Sequence, residues 1–278
     1  MTLQAIVFGV DGVLAETQEA RREAFNKVFV EAGLDWHWGR VLYAQLLKAT
    51  DGKEMIQAFV DRHRPHWRST EDLSHLIAAM TRRHATIDQE HLDKGAVKFR
   101  AGVAHFLRAA SRAGLLLAIA TNEGRSQVSS LLRANIEPLE QAEFNTVCTA
   151  DGYAGGRADD WYARALKALA LPPEGCLTVE SSAKGVQSAV AAGLPTVITG
   201  GVYSQLHECA DALLAANEAA PVSTSSMILS RWDCRTPPEL LSQFTSFHEA
   251  QLRSPGSLRL PVPAARSRPD KELDHAGV

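Results

Sequence analysis

Four short, largely apolar runs past residue 100 constrain this chain more than any other feature: Leu115 to Thr121, Phe144 to Cys148, Cys176 to Glu180 and Thr196 to Thr199. Segments with helical spacing alternate with them, at 103–113, 125–134, 160–170 and 183–192. Strands apolar on both faces must be covered on both faces, and strands joined through helices run parallel. The expected fold is therefore α/β, a Rossmann-like doubly wound parallel sheet. Ala5-Ile6-Val7-Phe8 supplies one more strand at the start. In such sheets ligands sit outside the carboxyl ends of the strands, which singles out Asp11, the pair Thr121-Asn122, and the pair Glu180-Ser181.

Between the first strand and the second lies a helical block. Residues 17–32 place Ala24, Phe25, Val28, Phe29 and Ala32 on one stripe that ends at Gly33. Residues 40–48, 53–62 and 70–85 repeat the pattern, with breaks at Asp51-Gly52 and Arg64-Pro65. Near the other end, Thr236-Pro237-Pro238-Glu239 reads as a capping box opening a helix over 237–252. The expected organisation is a core from 1–15 and 96–252, a helical cap from 16–95, and a disordered tail from 253–278, where prolines, serines and charges leave little to bury.

Composition narrows the function classes. A net charge of −3 and a pI near 6.4 offer no basic stripe, so neither nucleic acid nor an anionic membrane is an expected partner. No apolar stretch approaches the length of a membrane span and no basic leader precedes the first strand, so the expected location is cytoplasmic. Cys148, Cys176, Cys209 and Cys234 are far apart and read as buried thiols. Trp36 and Trp38 read as packing of the first helix pair of the block, and His63, His66 and His84 lack the spacing of helical zinc ligands.

The turn after the first strand, Gly9-Val10-Asp11-Gly12-Val13, resembles the Asp-x-Asp-Gly-Thr motif of the haloacid dehalogenase superfamily of phosphatases. Leu14-Ala15-Glu16-Thr17, Ala24-Phe25-Asn26, the stretch Glu31 to Trp38 and Asp51-Gly52-Lys53-Glu54 are similar to the CbbY-like group, which acts on xylulose 1,5-bisphosphate. The resemblance covers about residues 3–215. It implies phosphoryl transfer, in which one carboxylate attacks phosphorus and a second, two residues on, protonates the leaving oxygen. A hydroxyl and a lysine hold the phosphate, and Mg²⁺ screens the accumulating charge.

Several positions depart from that pattern. Gly9 stands at the nucleophile, Val13 at the threonine, Gly156 at the lysine with Arg157 beside it, and Ser181 at a metal carboxylate. Asp11 remains as the acid. By the same resemblance Glu16, Lys53, Thr121, Asn122 and Arg157 would meet a phosphorylated sugar, and Asp11 with Glu180 would hold Mg²⁺. Met55 replaces an arginine expected two residues after Lys53.

Each position also has a plainer reading. Asp11 could cap backbone N–H groups in its turn, Thr121-Asn122 could start a helix, Glu180 could be protonated or hydrogen-bonded, and Lys53 could be solvated. The sequence therefore points to a phosphatase homologue that has lost phosphoaspartyl chemistry while keeping phosphosugar or partner binding. Two alternatives stand beside it: a weak Mg²⁺-dependent phosphatase or phosphomutase working through Asp11, and a non-catalytic interaction subunit.

Overall fold

The computed structural model describes residues 2–47, 52–69, 72–136, 144–152, 160–204, 208–209, 211–212, 226–229 and 236–253. Gly156, Arg157, Cys234 and the tail beyond Arg253 lie outside them. Six parallel strands form one sheet: β1 (Ala5–Phe8), β2 (Leu116–Ala120), β3 (Thr146–Cys148), β4 (Cys176–Glu180), β5 (Thr196–Thr199) and β6 (Ser226–Leu229), in the order β3-β2-β1-β4-β5-β6. All five strand pairs are parallel. The α/β expectation holds, and the sheet extends one strand past Thr199. Ser226-Met227-Ile228-Leu229 adds a sixth strand beside β5, a run too short to stand out from the sequence around it.

Alternation along β1 shows why both faces are apolar. Ile6 and Phe8 point into a cluster with α5 (Val103–Arg112), α6 (Arg125–Ile136) and α9 (Pro237–Arg253), where Phe106 meets Phe244 with ring centroids 5.1 Å apart. Ala5 and Val7 point the other way, onto Trp161, Tyr162 and Ala165 of α7 (Trp161–Leu169) and Ala189 of α8 (Ala183–Ala191). Helix α9 opens as expected, with the Glu239 carboxylate accepting from the Thr236 N–H at 2.7 Å.

The chain leaves β1 for β2 on one side and returns through α7 to β4 on the other. The strand order therefore reverses between β1 and β4, and the crevice where ligands bind in such sheets opens at their carboxyl ends.

Helices α1 (Thr17–Glu31), α2 (Arg40–Leu46), α3 (Gly52–His63) and α4 (Leu73–Asp93) fill the block after β1 around an apolar cluster of their own. Trp36 and Trp38 are buried in it beside Phe25, Phe29 and Phe59, so packing accounts for both. Met55 is buried in the same cluster. Gly33, at φ +70°, ends α1 in the left-handed turn that glycine adopts without strain, and the Leu34 N–H returns to the Phe29 carbonyl. Helix α4 runs eight residues beyond the expected end at residue 85; there Leu92 joins the core cluster that α6 also enters, and Asp88 accepts from Gln127 of α6 at 2.9 Å. No helix among the described residues is long and apolar enough to cross a membrane.

Candidate functional site

The turn after β1 is folded by its own backbone. The Val10 carbonyl accepts from the N–H groups of Val13, Leu14 and Ala15, and the Gly9 N–H donates to Val179 at 2.9 Å, extending the β1–β4 ladder. Gly12 has φ +64°, and a methyl carbon there would lie 2.7 Å from Ser181 Oγ, so both backbone shape and space restrict it to glycine.

Asp11 follows on that turn. Its Oδ1 accepts from the Thr17 hydroxyl and the Gln18 N–H, both at 2.8 Å, so the side chain caps the first turn of α1. Burial pushes its carboxyl up to about 6, because the two hydrogen bonds do not fully replace lost hydration and Glu123 adds repulsion. Such a group exchanges a proton near neutral pH. The main-chain carbonyl of Asp11 accepts from Ser181 Oγ at 2.6 Å.

At the end of β4, Glu180 turns inward. Its Oε1 accepts from the Tyr162 hydroxyl, and its Oε2 from the N–H groups of Ser181 at 2.9 Å and Ser182 at 3.3 Å, at the first turn of α8. Ser182 caps that helix, accepting from the Gly185 N–H at 3.1 Å. Burial raises the Glu180 carboxyl above the usual carboxylate range against the pull of these hydrogen bonds, and raises the Tyr162 phenol as well. The Ser182 hydroxyl also donates to Oε2 at 3.4 Å, so both carboxyl oxygens already accept from protein groups.

Thr121 is buried at the end of β2, with Oγ1 accepting from the Glu123 N–H at 3.2 Å, while Asn122 is exposed. Glu16 is half-buried; its carboxylate pairs with Arg100 at 3.1 Å and accepts from the Val202 N–H at 2.9 Å. Arg100 also donates to the carbonyls of Gly12 and Gly200, tying the turns after β1 and β5 together. Lys53 is exposed on the first turn of α3. The structure thus brings Asp11, Ser181 and Glu180 to one strand-end crevice, with Thr121 at the end of the adjoining β2 and Glu16 on the neighbouring turn.

Sequence reasoning passed over a buried charge cluster beside this crevice. Arg21 on α1 donates to both oxygens of Glu123, in the turn after β2, and through Nε to Asp88 on α4 at 3.2 Å. Gln127 of α6 donates to the same Asp88 oxygen at 2.9 Å. The two carboxylates hold the guanidinium firmly protonated. The signal was available: Arg21 falls on the α1 stripe defined by Thr17, Ala24, Phe25 and Val28, where an unpaired charge would be costly. Among the described residues no three His, Cys, Asp or Glu side chains are grouped to hold a metal ion.

The family model of haloacid dehalogenase-like hydrolases matches residues 6–199. The chain is 39% identical to protein CbbY of Rhodobacter capsulatus, over 74% of this chain and 88% of that one. It is 36% identical to the plasmid-borne CbbY of Cupriavidus necator, over 76% and 84%. The crystal structure of a CbbY mutant from Rhodobacter sphaeroides in complex with xylulose-(1,5)bisphosphate superposes with a TM-score of 0.62 at 31% identity, covering 83% of this chain and 95% of that one. The Clostridium difficile β-phosphoglucomutase, at 12% identity and a TM-score of 0.59, shares the fold. With the motif turn at the end of β1 and these relatives spanning most of its length, the chain belongs to the haloacid dehalogenase-like hydrolase family, in its CbbY-like group.

Proposed function

We propose that this chain is a sugar-phosphate phosphatase homologue of the CbbY type that keeps the family framework without its phosphoaspartyl chemistry. The observation that carries this reading is Gly9. Read in the register of the Asp-x-Asp-Gly-Thr motif, it would stand at the attacking carboxylate, at the head of the β1–β4 crevice, and glycine brings no side-chain oxygen to attack phosphorus. Removing one member of a catalytic group that acts as a unit lowers turnover by orders of magnitude.

Mg²⁺, which family phosphatases use, supplies charge that offsets the repulsion between an attacking carboxylate and a phosphate. The donors here do not fit it. Residue 9 offers none, the Glu180 carboxyl faces Tyr162 and the α8 N–H groups, and the Asp11 carbonyl already accepts from the Ser181 hydroxyl. What remains suits recognition: a buried hydroxyl at Thr121, an exposed amide at Asn122, and an exposed cation at Lys53 on a helical block acting as the cap.

The test is phosphate release from xylulose 1,5-bisphosphate and from a generic phosphate ester with Mg²⁺, beside thermal unfolding with the sugar phosphate present. A raised midpoint with turnover far below that of an active relative is expected. Release at the relative's rate would overturn the reading.

One observation favours a second reading, a slow hydrolase. Asp11, with its carboxyl near 6, is suited to protonate a leaving oxygen while water attacks. That reading requires Asp11→Asn to abolish whatever turnover is found; an unchanged rate removes it.

A further inference from the structure

Residue 9 is empty of side chain, but its space is not empty. A methyl carbon built on Gly9 would lie 2.8 Å from Glu180 Oε1, 3.1 Å from Cδ and 3.3 Å from Oε2, and these three carboxyl atoms are its nearest neighbours. The backbone of Gly9 lies outside the left-handed region, so an L-residue could adopt it without strain. What excludes a side chain at residue 9 is therefore the Glu180 carboxyl group. On the opposite side, a methyl carbon at Gly185 would collide with the same three atoms. Two glycines from different parts of the chain thus form the walls of a slot, and Tyr162 with the Ser181 and Ser182 N–H groups holds the carboxyl in it.

We propose that Glu180 serves as the side chain of position 9: its carboxyl group, delivered from β4, fills the volume that a β1 side chain would take and props the ends of the two central strands. Glu180 is buried, 6% exposed, and contributes packing and four hydrogen bonds at the sheet's switch point. This role stands whether or not the chain turns over a phosphate ester, and its test does not measure turnover.

The experiment compares thermal unfolding of the full chain as wild type, Gly9→Ala, Glu180→Ala and the double variant. In the wild-type background the new methyl must displace a carboxyl held by four hydrogen bonds, so Gly9→Ala lowers the midpoint by about 3–8 °C. In the Glu180→Ala background the slot is vacant and the same change raises the midpoint by about 1–3 °C, through the reduced freedom of the unfolded chain. That reversal of sign is the expected result. An equal loss in both backgrounds overturns the proposal. Should Gly9→Ala alone fail to fold, the double variant decides: folded, it supports the prop; unfolded, it overturns it. Tyr162→Phe gives a second reading, lowering the midpoint in wild type and leaving it unchanged in the Glu180→Ala background; an undiminished loss there counts against the proposal.

Discussion

Arg21 grips both carboxylate oxygens of Glu123 across 102 residues of sequence, with the pair and Asp88 closed off between α1, α4 and the turn after β2. One cation here faces two carboxylates, so the two halves of the ion pair are not equivalent. Arg21→Met strands both acids and should cost about 3–5 kcal/mol in urea unfolding. Glu123→Gln leaves Arg21 paired with Asp88 and should cost about 1–2 kcal/mol. Equal losses, or a larger one at Glu123, would contradict this account of the cluster.

Asp11 gives a pH dependence of definite sign. Its folded value of about 6 lies above the ordinary 3.8, so the folded chain binds the proton more tightly. The stability this group contributes is full below about 4, is lost as pH rises to about 6, and leaves an ionised carboxylate as a burden at neutral pH. Asn keeps the acceptor for Thr17 and Gln18 without the charge. Asp11→Asn should therefore stabilise the chain by on the order of 1–3 kcal/mol at pH 7.5 and by nothing at pH 4. A difference that stays flat between those values would refute the linkage.

His84 should behave oppositely. Its ring stacks on Phe25 at 3.6 Å between centroids, with Nε2 3.2 Å from the Arg21 carbonyl, and burial pulls its value down to about 4. The unfolded chain takes the proton first, so this contribution is full above 6.5 and is lost as pH falls toward 4. Followed by tryptophan fluorescence, the stability gap between wild type and His84→Gln should narrow over that window. If the gap is the same at pH 7 and pH 4.5, the ring is not titrating as its surroundings dictate.

Metal binding offers a third handle. With the Asp11 carbonyl, Ser181 hydroxyl and Glu180 carboxyl all bonded to protein partners, added Mn²⁺ should give the spectrum of the free ion by electron paramagnetic resonance. Gly9→Asp with Ser181→Asp introduces two carboxylates around the Asp11 carbonyl, and Mg²⁺ should then raise the unfolding midpoint by several degrees. Tight Mn²⁺ binding by the wild-type chain would show the donors to be freer than their bonds indicate.

Much of the fold was legible because it rests on local periodicity: β1 to β5, α9 and the four helices of the insertion stand close to where apolar spacing puts them. The plainer reading of Asp11 as a cap of its own turn misses its partners, Thr17 and Gln18, which lie six and seven residues on at the start of α1. The bonds that define the crevice were not legible either. Tyr162 to Glu180 spans 18 residues, Ser181 to Asp11 spans 170, and Arg21 to Asp88 spans 67. No spacing rule encodes those pairings, which exist only once the sheet has assembled. Strand β6 was missed for a related reason, because four residues carry no period of their own and become a strand by pairing with β5.

The slot between Gly9 and Gly185 also bears on how such a chain can change over generations. A mutation that puts an aspartate at position 9 arrives in occupied space and must first shift a carboxyl group held by four hydrogen bonds. Selection would weigh that step on folding before any chemistry could reward it, so an acidic side chain enters position 9 downhill only after a neighbour has moved. The filled crevice acts as a ratchet tooth on the history of the sequence.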